Sequence, residues 1–239
     1  VLVCLRWSMG SRLLMVDLKV APCSHEAAKY AVMNWHYSQQ FPVGKAYKVG
    51  VWENQSFVGA VVFGYGANHN LSKAYGLDMT ECVELVRVAC REHLGFVSEY
   101  VSQALKLLKK DNPGLRVVIS FADPYRGHQG GIYKAGNWIY LGKTDPKYDF
   151  VMPDGRVLNR RAYTGATFSG ARKELPQGAK KIPMPPKHRF AFPLDKAMRR
   201  KLNKIALPYS NAVEGLEESH LDSVKEVQVQ SLPTARGNI

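Results

Sequence analysis

The stretch from Glu81 to Gly142 constrains the chain most strongly. It opens with an apolar, β-branched run, Val83-Glu84-Leu85-Val86-Arg87-Val88-Ala89, and passes through a loop holding Gly95 and Ser98 into a helical segment that ends near Lys110. Val101, Leu105 and Leu108 recur at helical spacing, so one face of that helix must be covered. Asn112-Pro113-Gly114 stops it, because proline cannot continue a helix and glycine frees the backbone, and Arg116-Val117-Val118-Ile119-Ser120-Phe121 supplies a second strand. Strand, helix and strand in about 40 residues make a βαβ unit, which implies a parallel strand pair. Asp123-Pro124 leaves the end of the second strand, where open α/β sheets place their site groups. Gly127-His128-Gln129-Gly130-Gly131-Ile132-Tyr133 follows, then a short strand Trp138-Ile139-Tyr140-Leu141 closed by Gly142.

The 239 residues, 46% hydrophobic and 10% aromatic, suffice for one good core with an appendage. No apolar run is long enough to span a bilayer. Cys4, Cys23, Cys82 and Cys90 show no Cys-x-x-Cys spacing, so neither a zinc ribbon nor a disulfide framework is indicated, and a reducing cytoplasm is expected. The formal charge of +13 is unevenly spread. Residues 1–150 carry 17 Lys and Arg against 12 Asp and Glu, residues 151–210 carry 14 against 3, and residues 211–239 carry 2 against 5. The middle block therefore concentrates positive charge, as a phosphate-binding surface does.

Read from its start, residues 1–14 look like a non-native or upstream-translated leader, and a fold is expected to begin at Met15-Val16-Asp17-Leu18. Ser24 caps a helix that runs out near Trp35, where Asn34-Trp35-His36-Tyr37-Ser38 leaves no single apolar face. Tyr47–Glu53 and Ser56–Phe63 form a hairpin around Asn54-Gln55, followed by the polar, glycine-rich loop Gly64–Asn70. Beyond Thr144, Pro153-Asp154-Gly155 marks a second hairpin, and Pro176–Pro193 is punctuated by prolines with little periodicity. Asp195 caps a short basic helix bearing Lys196, Arg199, Arg200, Lys201 and Lys204, with Ala197, Leu202 and Ile205 on its other side. The boundaries read from the chain are a non-native or disordered start over 1–14, a main domain over 15–148, a basic extension with the charge of a nucleic-acid-binding surface over 149–210 and a flexible tail over 211–239.

The layout around 81–142 resembles the second half of the GNAT acyltransferase fold, an α/β (α+β) class with a mixed central sheet flanked by helices. In that fold a loop at a helix start cradles a coenzyme A diphosphate, and a later segment brings a tyrosine beside the thioester. The resemblance places Arg87, Arg91, Gly95 and Ser98 on the cofactor side, with acetyl-CoA or another acyl donor as cofactor. A helix start is a natural anion site, although Arg91–Ser98 holds one glycine only.

More specifically, Asn34–Ser38, Val51–Glu53, Phe63–Asn68, Glu84–Ala89, Ser120–Pro124 and Gly127–Tyr133 together resemble the Mom family of phage DNA-modifying proteins, over Asn34 to Thr144. That resemblance implies a divergent GNAT fold that adds a carbamoylmethyl- or acetamido-type group to adenine in double-stranded phage DNA, defeating host restriction, in the bacterial host's cytoplasm. It places His36, Tyr37, Ser120, Asp123 and Tyr133 at the active site. The adenine amine is delocalised into its ring, so a positioned base such as Asp123 helps it attack, while Tyr133 protonates the leaving group. The amine lies in the major groove, so base flipping is expected, with Trp35, Tyr37, Tyr65 or Tyr125 as stacking partner. Tyr65 and Asn68 are placed with the five basic residues of the last helix as nucleic-acid contacts. Plain acyl transfer does not give the family's adduct, and His36, Asp123 and His128 are the residue types of a two-His, one-carboxylate iron site. N-acetylation of a protein or small molecule, and a non-catalytic DNA-binding module, stay open as alternatives.

Overall fold

A computed structural model describes residues 2–4, 15–66, 68, 70–158, 160, 163 and 174–209, of which 2–4 and 15 are described as backbone alone. The leader expected over 1–14 lies outside the described residues except for strand β1 (Leu2–Cys4), and the tail expected over 211–239 lies outside them entirely. The chain divides into two compact units, the first holding residues 1–122, 130–142 and 188–208 and the second 123–129, 143–187 and 209–239.

The first unit is built on an eight-stranded sheet. Its strands are β1, β2 (Met15–Pro22), β3 (Ala46–Glu53), β4 (Ser56–Gly64), β5 (Cys82–Cys90), β6 (Val117–Ala122), β7 (Ile139–Lys143) and β11 (His188–Pro193), in the order β1-β2-β3-β4-β5-β6-β11-β7. From β1 to β5 every neighbour is antiparallel, β5 and β6 are parallel, and β6 and β11 are antiparallel again. This is the mixed central sheet flanked by helices that the sequence implies.

Local chemistry explains the connections. Helix α1 (His25–Trp35) is capped by Ser24, whose hydroxyl accepts the Ala27 N–H at 3.1 Å. The β3–β4 turn places Asn54 at φ 48° and Gln55 at φ 66°, the two left-handed positions that a tight hairpin matching strand twist requires. Asn54 is anchored by exchanging hydrogen bonds with Asp17 at 2.9 and 3.0 Å. Ala28, Ala31 and Val32 of α1 pack on Ala60, Val62 and Ala89. The opposite face of β4 carries the equally buried Val61 and Phe63. Helix α2 (Val97–Asp111), which packs across β2, β3 and β4, buries Tyr100, Val101, Ala104, Leu105 and Leu108.

The extension expected over 149–210 is not one separate body. Strand β11 completes the main sheet beside β6, and helix α4 (Lys196–Asn203) packs Met198 and Leu202 onto Val117, Ile119 and Ala191. Met198, not Ala197 or Ile205, forms its buried face with Leu202; Ile205 is half exposed. The proline-punctuated stretch also holds more structure than its composition suggests. Strand β10 (Lys180–Met184) pairs with β8 (Lys147–Val151), which pairs with β9 (Val157–Leu158), forming the three-stranded sheet of the second unit. Pro183 is tolerated because β10 lies at an edge. Helix α3 (Gly131–Ala135) belongs to the first unit.

Candidate functional site

Strands β5 and β6 begin as partners and then part. Their parallel register covers Cys82–Glu84 against Val117–Ile119, while β5 continues to Cys90 along β4 and β6 continues to Ala122 along β11. The opening is thus at the carboxyl ends of the parallel pair, where an α/β sheet exposes unpaired backbone to a ligand. Ser120 sits at the fork, 1% exposed, and donates to the Leu85 carbonyl at 3.1 Å. Its oxygen also lies 2.8 Å from the Tyr133 hydroxyl. Tyr133, presented by α3, is held by rings on two sides: Phe190 stacks on it at 4.8 Å, and Trp138 meets it edge-on at 5.0 Å.

Burial pushes the Tyr133 phenol up to about 12, against a smaller lowering by the Ser120 hydrogen bond; negative charge on Tyr37 or Glu84 would push it further up. Tyr133 therefore keeps its proton at neutral pH. Tyr37, Glu84 and Arg87 share this neighbourhood. Burial lowers the Arg87 guanidinium, and negative charge on Tyr37 or Glu84 acts in the opposite sense. Arg87 donates to the carbonyls of Gln40 at 3.1 Å and Val86 at 2.6 Å. Tyr37 is 51% exposed and faces the His36 ring at 4.2 Å. The Ser38 N–H points at His36 Nδ1 at 3.1 Å, which requires a lone pair there, so the neutral ring carries its proton on Nε2.

Glu84 is the residue that motif reading missed here. The loop after β4 crosses it so closely that a Cβ on Gly66, at φ +64°, would lie 1.9 Å from Glu84 Oε2. A side chain there would have to push the Glu84 carboxylate aside and hold the left-handed conformation that glycine takes freely. Tyr65 and Asn68 line a small open hollow with Leu71, Ser72, Met79, Cys82, Val83 and Glu84. Asn68 is tied locally, its side-chain oxygen accepting the Asn70 N–H at 3.0 Å.

Asp123 belongs to the second unit and is 8% exposed. Its Oδ1 accepts the Tyr125 N–H at 3.2 Å and its Oδ2 lies 2.6 Å from Lys187 Nζ, so both oxygens already hold donors. His128 donates its N–H to the Asp123 carbonyl at 3.1 Å. Burial raises the nearby Asp149 carboxyl above its ordinary range, against lowering by the Arg160 N–H and Lys187. Lys187 thus serves an acidic pair, a role its place in a proline-rich run did not signal. Among the described residues no three His, Cys, Asp or Glu side chains come together to hold a metal, so the ligand set His36, Asp123 and His128 is not assembled.

Of the residues assigned to a coenzyme A diphosphate, Arg87, Arg91 and Gly95 have partners within the chain. Gly95 donates its N–H to Glu53 Oε1 at 2.6 Å, and Leu94 donates to Glu53 Oε2 at 2.7 Å. Ser98 is the second residue of α2 and not its cap; Phe96 holds that position without a side-chain hydrogen bond. Arg91 lies over the Trp35 ring at 5.9 Å. The acceptor of the Leu94 and Gly95 amides is this chain's own carboxylate, so these two N–H groups are not open to a diphosphate. The free thiols, Cys23, Cys82 and Cys90, are also unsuited to nucleophilic work, since burial pushes Cys82 and Cys90 up to about 12.

Helix α4 carries the basic cluster. Asp195 caps it, accepting the Met198 N–H at 2.7 Å, and pairs with Arg116 at 2.9 Å. Lys196, Arg199, Arg200, Lys201 and Lys204 are all exposed, and the Lys201 ammonium also donates to the Tyr75 carbonyl. No described helix is long and apolar enough to cross a membrane.

Comparison with known proteins places the chain. It is 29% identical over 136 residues to the methylcarbamoylase Mom of Escherichia phage Mu, an alignment covering 55% of this chain. The chain spans about half the length of that curated relative, 56%. Among solved structures, a Bacillus subtilis acetyltransferase in complex with CoA aligns at TM-score 0.44 and 14% identity, covering 75% of this chain and 99% of the other. A Vibrio cholerae spermidine N-acetyltransferase aligns at 0.43 and 10% identity, covering 79% and 98%. The profile of the Mom protein family matches residues 17–211. That match takes in every described strand except β1 and the start of β2, with all four described α-helices, and the chain belongs to the Mom protein family.

Proposed function

We propose that this chain is a transferase that modifies the exocyclic amine of adenine in double-stranded phage DNA, adding a carbamoylmethyl- or acetamido-type group that shields the DNA from host restriction. Family membership and the likeness to a methylcarbamoylase support the reaction class. The observation that carries the chemistry is the Ser120–Tyr133 hydroxyl pair, buried where β5 and β6 part, with a phenol held in its protonated form. In the transfer, a carbon–nitrogen bond forms at the adenine amine and the bond from carbon to the donor's leaving group breaks. The amine loses one proton and the leaving group gains one. Tyr133 supplies that proton, and Ser120 orients its hydroxyl while being itself held by the Leu85 carbonyl. Glu84, whose charge acts on the Tyr133 phenol, is the carboxylate we assign to take the amine proton, and Asp123, with both oxygens engaged, is a second carboxylate to be tested for that role. Tyr37 and Tyr65, half exposed, offer stacking surfaces for a flipped base.

The experiment is nucleoside mass analysis of DNA from bacteria expressing the chain. A deoxyadenosine of increased mass is expected, and its yield should collapse in Tyr133→Phe. Unmodified DNA from cells making abundant folded wild-type protein would sink the proposal.

A further inference from the structure

The start of α2 is the obvious anion site of this fold. It follows β5 at the open end of the parallel pair, and the first-turn amides of a 15-residue helix point outward with the positive end of the helix dipole behind them. The Leu94-Gly95 loop that leads into it is already engaged by a carboxylate. Glu53, at the end of β3, is 4% exposed, and its carboxylate accepts the Leu94 N–H at 2.7 Å, the Gly95 N–H at 2.6 Å and the Tyr100 hydroxyl. Gly95 is explained by the same contact, since a Cβ there would lie 2.8 Å from both Glu53 Oε1 and Tyr100 Oη. A glycine that suggests a phosphate loop is required here by a side chain of the chain itself.

We propose that Glu53 takes the place of a donor diphosphate at the start of α2, and that the group donor of this enzyme is held without a phosphate contact there. A diphosphate would have to displace an ionised, fully hydrogen-bonded carboxylate, or sit beside it with like charge against like charge. The basic group that acts on Glu53 is His93, whose Nδ1 lies 2.9 Å from the Gly95 carbonyl. The flanking Leu94 and Phe96 are 57% and 63% exposed and apolar, Arg91 lies over Trp35, and Arg87 donates to the Gln40 and Val86 carbonyls. The exposed apolar pair beside the filled amides suits a donor handle that is neither anionic nor a nucleotide diphosphate. The inference rests on the transferase reading only in calling this ligand a donor.

The test uses the full chain without DNA, so its outcome is independent of whether adenine is modified. Coenzyme A, and separately inorganic pyrophosphate, are titrated to millimolar concentration while the amide resonances of Leu94 and Gly95 are followed by NMR. Unmoved resonances with both probes are expected. Saturable shifts of both amides in the wild-type protein overturn the proposal. Glu53→Gln removes the charge and keeps one acceptor oxygen, and it should bind pyrophosphate at these amides at least about tenfold more tightly than the wild type. A folded Glu53→Gln that binds no better overturns the role given to Glu53. Should that variant fail to fold, the wild-type titration decides alone.

Discussion

Tyr133 carries the proposed proton transfer, and its burial gives a prediction with a sign. A phenol raised to about 12 from an ordinary value of 10 holds its proton more tightly folded than unfolded. The stability it contributes is complete below pH 10 and is lost as pH rises through the folded value, by roughly 2–3 kcal/mol at most. Alkaline unfolding followed by circular dichroism should therefore be less steep between pH 10 and 12 in Tyr133→Phe than in the wild type. Phe fits between Phe190 and Trp138, and Ser120 keeps the Leu85 carbonyl as partner, so at neutral pH this variant should lose only about 1 kcal/mol of stability. Its transfer rate should fall about 10²–10⁴-fold if the phenol is the proton donor. Asp123 separates differently. Asn at this position keeps an oxygen for the Tyr125 N–H and loses the charge that Lys187 answers. A fall in modified adenine of about 10²-fold or more, with the melting temperature nearly unchanged, would make Asp123 the base; equal loss of stability and activity would make it a structural anchor.

At the scale of elements, the β3 end, the α2 start and the loop over Glu84 are joined through carboxylates. Burial alone would raise the Glu53 carboxyl, but the Leu94 N–H, the Tyr100 hydroxyl and the Gly95 N–H outweigh it and hold it below the ordinary carboxylate range. A lowered value means that this stabilisation is present above the unfolded carboxylate pKa, about 4.3, and fades as pH falls through the folded value. Hydrogen exchange should show the Leu94 and Gly95 amides losing protection on acidification in the wild type, with that pH dependence absent in Glu53→Gln. Gly66→Ala should cost more than about 1 kcal/mol, since it adds a Cβ in a left-handed conformation against Glu84. What the sequence revealed follows the same division between local and distant. The Ser24 cap, the Asn54-Gln55 turn and the β5–α2–β6 unit rest on neighbours a few residues apart, so periodicity and cap chemistry exposed them. Glu53 meets Gly95 across 42 residues, and nothing in the spacing of either announces the other. Pro183, Pro185 and Pro186 hid β10 and the approach to β11, because an edge strand tolerates prolines that a local reading takes as breaks. Ser120 and Tyr133 were legible as candidates, whereas the fork that joins them exists only once β5 and β6 are paired.

For the whole molecule, the question is what the charge does. Residues 151–210 hold 14 of the chain's 33 Lys and Arg against 3 of its 20 Asp and Glu, an imbalance far beyond what solubility needs. On α4, Met198 and Leu202 anchor one side in the first unit, leaving Lys196, Arg199, Arg200 and Lys204 in solvent, while Lys201 is spent on the Tyr75 carbonyl. If the proposed substrate is duplex DNA, those four side chains are placed to contact phosphates, and each contact releases counterions. Replacing Lys196, Arg199 and Arg200 with Ala should then reduce the slope of log affinity against log salt by roughly 2–3, since each phosphate contact contributes about 0.9. Adding Lys204→Ala should lower it by about one more, whereas Lys201→Ala should leave the slope unchanged and instead reduce stability, because its ammonium serves the fold. Affinity should weaken alike for all duplex sequences, since phosphate contacts position a protein without identifying bases. Fluorescence anisotropy across a salt series measures every one of these slopes. An unchanged slope in the triple variant would show that α4 is a solvated face and that DNA, if bound, is held by other basic residues of the block.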